Sequence, residues 1–332
     1  SEMCIRDRRR ASKTFGFETL KLNVLKESSD EELKRFDYIV TALPGSIAYN
    51  IVMKLANLGI NVVDVSYFPE DPFKLDEAAL RRKSMIVVDA GFAPGLSNII
   101  LGDFARRFGG LKAGRIYVGG VSLDPNLPLG IVATWSVEDL LDEYVRPARL
   151  ISDGELRAVD PLSLVGEITV PGYGLMEYFV SDGVRTMLRT FGDAEELVEY
   201  TLRYPGHIEF MKTMKELGFL SDETIKLNGV ETPIRGLTSK ILEKKLVGDA
   251  ADRVIMVIDA YSRIRVHKSY LLDMSFDEEL GLSAMGKITG FTEATIFRLM
   301  VDGVIEGKGL ITPCLLYTSD AADDMQCVDL GG

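Results

Sequence analysis

Residues 84–98, Ser-Met-Ile-Val-Val-Asp-Ala-Gly-Phe-Ala-Pro-Gly-Leu-Ser-Asn, constrain the fold more than any other stretch. A continuous apolar run stops at Asp89, passes a loop punctuated by Gly91, Pro94 and Gly95, and enters a helical pattern. An uninterrupted apolar run marks a strand buried on both faces, and buried parallel strands deliver their carboxyl ends to a ligand crevice. The same order occurs twice upstream. Residues 38–43 run into Pro44-Gly45-Ser46, and residues 60–65 run into Ser66-Tyr67. Three such strand ends in succession predict an α/β fold built on an incomplete, Rossmann-type doubly wound parallel sheet. Such a sheet usually opens with a strand and a G-x-G-x-x-G turn, whose amides receive a pyrophosphate at a helix N-terminus. That motif occurs nowhere in the 332 residues. Periodicity leaves two explanations open: the fold binds no dinucleotide, or its first strand-helix-strand unit is missing.

The rest of the chain divides by pattern. A short strand is expected at 17–24, and an acidic helix start at Ser29-Asp-Glu-Glu32. The helix after Pro44 sets Ile47, Ile51, Leu55 and Leu58 on one face and closes at Gly59. A short helix follows at 76–82, and Leu96, Ile100, Phe104 and Phe108 recur every four residues until Gly109-Gly110. Strand-helix alternation then gives way to a strand-rich α+β region. Strands are expected at 115–121 and on both sides of Asp153-Gly154, a strong two-residue hairpin signal, with two more around Pro171-Gly172. Helices are expected after Ser136, at 194–202 and 208–217, and at 283–300 with Ala284, Ile288, Phe291, Thr295 and Leu299 inward.

Composition narrows the class. With 38 basic and 50 acidic residues the net charge is -12, which disfavours nucleic acid and anionic membranes as partners. No apolar run approaches the roughly 18 residues of a spanning helix, and no secretory signal is visible, so a cytoplasmic location is expected. Cys4, Cys314 and Cys327 all lie near the ends. The two tail cysteines match no zinc spacing, and no metal site is expected.

Several segments, in this order, carry a resemblance: Thr41-Ala-Leu-Pro-Gly45, Val63-Asp-Val-Ser66, Asp89 to Asn98, Tyr117-Val-Gly-Gly120, Thr134-Trp-Ser136, Glu143-Tyr-Val-Arg-Pro-Ala-Arg149, Ser181-Asp-Gly183, Thr201 to His207, Ser283-Ala-Met285 and Thr289-Gly-Phe291. Together they resemble the saccharopine dehydrogenase family, most closely its prokaryotic L-lysine 6-dehydrogenase-like branch, from about Phe17 to Pro313. The family begins with the glycine fingerprint, so the resemblance implies truncation at the front. Five regions are expected: a linker-like head at 1–10, which like the tail shares no periodicity with its neighbours, a partial dinucleotide-binding domain at 11–110 without its first strand-helix-strand, and an α+β substrate and dimerisation domain at 111–280. A helix returning to the nucleotide domain at 281–313 and a linker-like tail at 314–332 complete the division.

The implied activity is NAD- or NADP-dependent oxidation of an amino-acid amine, by a homodimer, with this chain alone inactive. A non-catalytic dimerisation or small-ligand-binding module is the alternative. The implied cofactor side is Ala42, Leu43, Pro44, Ser66, Gly91, Phe92 and Ala93, with Asn98 supporting the loop; turn chemistry is the competing role for the glycines. Substrate-side candidates are Tyr67, Glu177 and Arg203. Arg203 is suited to a carboxylate clamp or a domain interface, and Glu177 to an amine or to an outward strand position. The catalytic candidates are His207, whose unperturbed pKa suits proton transfer, and Asp89; a hydrogen-bonding turn His and a capping Asp are the alternatives. Trp135 is expected to be a packing anchor, and His267 a surface residue.

Overall fold

The structure, a computed structural model, describes residues 12–247 and 251–316 and the backbone of 328–329. The expected head, with Cys4, and Cys327 in the tail lie outside the described residues.

Strands β1 (Tyr38–Thr41), β2 (Asn61–Asp64) and β3 (Met85–Val87) form a parallel sheet in that order. They are joined by helices α1 (Gly45–Leu58) and α2 (Leu75–Arg82). Burial of Val62, Val63, Ile86 and Val87 explains the unbroken apolar runs, because layers cover both faces. Helix α1 buries Ala48, Ile51, Val52 and Leu55, and Gly59 ends it at φ 81°. The sheet's fourth strand, Gly309–Ile311, pairs in parallel with β3. Residues 17–24 form no strand; β1 is the sheet edge among the described residues, and Val40 on it is exposed.

Helix α3 (Leu96–Arg107) leaves β3 but packs Leu96, Leu101 and Phe104 on the second sheet. Each such buried side chain contributes roughly 1.5–3 kcal/mol, so α3 is a strong joint between the two layers. The second sheet has nine strands and is mixed. Its long members begin with β4 (Leu111–Ser122), followed after the short helix α4 (Val137–Asp142) by the hairpin β5 (Ala148–Ser152) and β6 (Glu155–Val159). Asp153 and Gly154 turn that hairpin at φ 56° and 77°, the left-handed pair a type I′ turn requires. The hairpin β7 (Val165–Val170) and β8 (Gly174–Ser181) follows, and then β9 (Glu196–Arg203).

The helix expected at 194–202 is therefore a strand. Its glutamates favour a helix weakly, but β9 is central, parallel to β4 on one edge and antiparallel to β5 and β8 on the other. Long-range pairing on both edges outweighs local propensity.

Helix α5 (His207–Glu216), the small hairpin β10 (Thr224–Leu227) and β11 (Val230–Pro233), and helix α6 (Ile234–Leu246) complete this side. Strands β12 (Asp252–Ser262) and β13 (His267–Ser275) extend the sheet beyond β4. Helix α7 (Ala284–Val301) returns to the parallel sheet, where Ile296 and Met300 pack beside Val63 and Val87. Its buried face is Ala284, Ile288, Thr292, Glu293, Ile296 and Met300, while Phe291 is exposed, so the expected stripe through 291, 295 and 299 is corrected by one position. The expected stripe takes a three-residue step from Ile288 to Phe291, whereas the buried face keeps four-residue steps through Thr292, Ile296 and Met300.

Cys314, expected to open a linker-like tail, is buried in the α3 core cluster and takes hydrogen-bond contact with Thr190 at 3.2 Å. Packed structure thus continues past the expected boundary at 313. No helix among the described residues is long and apolar enough to cross a membrane, and none of their His, Cys, Asp and Glu side chains cluster as a metal site.

Candidate functional site

A cavity of about 560 Å³ separates the carboxyl ends of β1–β3 from the second sheet. Three loops form one wall: Ala42, Leu43 and Pro44 after β1; Val65, Ser66 and Tyr67 after β2; Gly91 to Pro94 after β3. Every sequence-predicted cofactor-side residue except Asn98 is among them. Asn98 lies beneath the third loop, where its Oδ1 accepts from the Gly95 N–H at 3.1 Å and its Nδ2 donates to Thr186 Oγ1 at 3.2 Å. Gly95 has φ 142°, and a Cβ there would stand 2.0 Å from the Gly91 carbonyl oxygen, so this loop closes only with glycine.

Two aspartates brace the strand ends. Asp64 Oδ1 accepts from Thr41 Oγ1 at 2.6 Å and Ser66 Oγ at 2.7 Å, tying β1 to β2. Burial raises its carboxyl to about 6, opposed by those hydroxyl donors. Asp89, a predicted catalytic residue, does not line the cavity. Its Oδ2 accepts from Thr186 Oγ1 at 2.9 Å and its Oδ1 is ion-paired with Arg185 Nε at 2.9 Å, both partners coming from the second domain. Asp89 fastens β3 to that domain.

The opposite wall is charged. It is formed by Thr134 to Ser136, Asp139, Glu143 and Arg146 around α4, by Ser181 to Gly183 after β8, and by Glu199, Thr201 and Arg203 on β9. Tyr67 meets this wall: its hydroxyl donates to Asp182 Oδ2 at 2.7 Å, and the guanidiniums of Arg146 and Arg185 each stand 4.3 Å from its ring centroid. Burial and the Asp182 carboxylate hold the phenol well above its ordinary range, so it remains a hydrogen-bond donor. Asp182 is itself held bidentately by Arg149, at 2.9 and 2.7 Å.

Arg203 lines the cavity as predicted, and each of its three guanidinium nitrogens holds one partner. Its Nη2 pairs with Glu143 at 2.8 Å, Nη1 donates to the Leu202 carbonyl at 2.9 Å, and Nε donates to Tyr144 Oη at 3.2 Å. His207 stands behind it and not on the cavity wall. Its Nδ1 lies 3.0 Å from the Leu129 carbonyl, which accepts only, so Nδ1 carries the proton and Nε2 accepts from Tyr144 Oη at 2.7 Å. Burial and nearby Arg203 lower the imidazole to about 3. His207 is thus a neutral residue that orients Tyr144 against Arg203, which corrects the proton-transfer expectation: the desolvation that makes the site suppresses the charge change.

Glu177 is also placed away from the cavity. Its carboxylate accepts from the Gly206 and Ile208 N–H groups at 2.9 and 3.1 Å and so caps α5. Trp135 both lines the cavity and packs on the cluster around Leu140 and Phe179, and His267 is an exposed ring stacked on Tyr261.

Sequence reasoning missed Asp139, Glu143, Arg146, Asp182 and Glu199 as site residues. Four of them stand within or beside segments already singled out, Thr134-Trp-Ser136, Glu143 to Arg149 and Ser181 to Gly183. Glu199 was hidden by the helix reading of β9, although the Val198, Tyr200 and Thr201 around it favour a strand.

Saccharopine dehydrogenase [NADP(+), L-glutamate-forming] of Saccharomyces cerevisiae is 25% identical over 224 residues, 64% of this chain and 50% of that protein. The mitochondrial alpha-aminoadipic semialdehyde synthase of Mus musculus is 21% identical, over 91% of this chain and 40% of its own length. The chain spans about half the length of the saccharopine dehydrogenases it matches. Among solved structures, the apo saccharopine dehydrogenase (L-Glu forming) of Saccharomyces cerevisiae matches with TM-score 0.73 and 20% identity, covering 92% of this chain and 85% of that one. Homospermidine synthase of Legionella pneumophila, in complex with NAD, matches with TM-score 0.59 and 12% identity, covering 92% and 78%. These two establish the fold. The model of the saccharopine dehydrogenase C-terminal domain matches residues 91–325, most of the chain, and the protein belongs to that family.

Proposed function

We propose that the cavity is where a nicotinamide, of NAD or NADP, meets an amino-acid amine, in an oxidoreductase of the L-lysine 6-dehydrogenase or saccharopine dehydrogenase type. The observation that carries this reading is the asymmetry of the cavity. The loop wall offers small and apolar groups and backbone, with Tyr67 its one ionisable side chain, which suits a flat uncharged ring. The facing wall holds four carboxylates and two guanidiniums, which suits a zwitterionic substrate. Ala42 to Pro44, Ser66 and Gly91 to Ala93 would hold the ring. A bound nicotinamide would accept hydride from the amine-bearing carbon. The chain's own residues bind, orient and exclude water: Arg203, fixed by Glu143 and Tyr144, presents its remaining N–H capacity to a carboxylate, and Tyr67 keeps a donor at the junction of the walls. The names of the relatives support NADP for the Saccharomyces protein and NAD for the Legionella structure.

The pyrophosphate needs amides from a glycine turn, and no G-x-G-x-x-G is among the 332 residues, so we take residues 1–332 alone to be inactive. The test is amino-acid-dependent reduction of NAD or NADP by the chain joined to a strand bearing that turn, with lysine first and saccharopine second. Failure with both, and with related diamines, removes the dehydrogenase reading. Saturable micromolar binding of either nucleotide to residues 1–332 alone removes the inactive-fragment reading.

A homodimer would use the outer face of the nine-stranded sheet. There the rings of Tyr117, Tyr178 and Tyr200 pack together, half-buried, beside Val257 and Leu271. Light scattering should give twice the chain mass, and Tyr200→Glu should return a monomer.

A further inference from the structure

Four carboxylates converge behind the substrate wall: Asp89 at the end of β3, Glu143 after α4, Asp182 after β8 and Glu199 on β9. Three have an arginine each. Asp89 pairs with Arg185, Glu143 with Arg203 and Asp182 with Arg149, at 2.9, 2.8 and 2.7 Å. Glu199 has none. It is 3% exposed, its Oε1 accepts one long hydrogen bond from Ser181 Oγ at 3.2 Å, and its buried Oε2 has no partner. An unpaired buried carboxyl is costly unless a partner answers it, and of the unpartnered buried carboxyl oxygens, which include Asp64 Oδ2 and Glu293 Oε1, that of Glu199 is on the charged wall of the cavity. The chain also makes room for it: a Cβ at Gly183 would stand 1.6 Å from Glu199 Oε1 and 2.2 Å from Oε2. Arg146, the other cation on the wall, is paired with Asp142 at 2.7 Å. Asp139, the wall's remaining carboxylate, has no ion pair either but is only half-buried, so the buried carboxyl of this wall without a cation is Glu199.

We propose that Glu199 receives the substrate's ammonium group and takes its proton. This rests on the amine-oxidation reading of the cavity. The ammonium supplies the missing cation to Oε2. One N–H bond then breaks as an Oε2–H bond forms, leaving a neutral amine whose lone pair is available for the C=N bond. Burial, opposed by Ser181 and reinforced by Glu143, Asp182 and Asp89, raises the empty site's carboxyl to about 8. At pH 7 the free carboxyl is therefore mostly protonated, alongside a fully protonated free ammonium. In the complex they hold one proton between them, on whichever partner, so binding releases up to one proton to solvent.

The experiment is calorimetry of the chain with L-lysine and with n-butylamine at pH 6, 7 and 9, in two buffers of different ionisation enthalpy at each pH. The wild type should release a proton fraction of up to one per amine bound, larger at pH 6 than at pH 9. Glu199→Gln should weaken binding by roughly 10- to 100-fold and abolish the release. Gly183→Ala, which keeps the carboxyl but drives a methyl against it, should weaken binding in the same direction and decides the matter if Glu199→Gln fails to fold. Undetectable amine binding by the wild type, binding without proton release, or equal affinity in the variants overturns the proposal. Amine binding with proton release but no nicotinamide reduction by the completed enzyme leaves Glu199 in place and removes only the dehydrogenase reading.

Discussion

The two walls of the cavity are built on different physical terms. The β1–β3 wall is made of loop backbone and small apolar groups, so its shape follows from strand ends and from glycines that close turns. The wall from the nine-stranded sheet is made of charges, each buried charge but Glu199 answered by another. Shape recognition costs little desolvation, and a loop wall can change a side chain cheaply. Charge recognition requires dehydrated ions to be paired before the ligand arrives, so that wall is coupled to the stability of the molecule.

The comparison predicts a graded set of effects. The largest belongs to Arg185→Leu, which strands Asp89 in the interior and should cost about 3–5 kcal/mol in urea unfolding. A cost under about 1 kcal/mol would mean the pair does not hold the domains together. Next is the acid limb. His207 is held at about 3 against an ordinary 6.5, so the unfolded chain takes up a proton that the folded chain refuses. Stability should therefore fall as pH drops from 6.5 toward 3, by at most about 1.4 kcal/mol per pH unit from this residue. His207→Gln, which keeps an acceptor for Tyr144, should lose that slope relative to the wild type. Parallel pH profiles for the two would show that His207 is not buried neutral.

Glu177→Gln removes the charge capping α5 and should cost about 1 kcal/mol, leaving amine binding unaltered. Weakened amine binding would return Glu177 to the site. Ala42→Ser on the loop wall should shift stability by less than about 0.5 kcal/mol. If it rivals Arg185→Leu, the contrast between the walls is broken.

Local signals carried much of the first domain. The apolar runs ending at Leu43, Val65 and Asp89, Gly59 closing α1 and Asp153-Gly154 turning a hairpin are decided within a few residues, and the structure repeats them. The loop wall was legible for the same reason, since a parallel strand's carboxyl end says where its loop must go. The second domain was less so. Residues 194–202 read as a helix because their helix-forming glutamates are adjacent in sequence, whereas the partners that make them a strand lie on β4, β5 and β8.

By itself the sequence determined the fold class, the family and the three loops that meet at the cavity, because strand length, turn chemistry and periodicity act over neighbouring residues. Tertiary structure alone decided the roles of the ionisable groups. In one dimension His207 and Asp89 suit catalysis and Glu177 suits an amine, yet packing makes them an orienting, a fastening and a capping residue. Glu199 lies in the span expected to be a helix and is the one carboxyl of its group without an arginine. A charge's role depends on its desolvation and on which opposite charge lies within about 4 Å, and both are set by chain segments far apart in sequence.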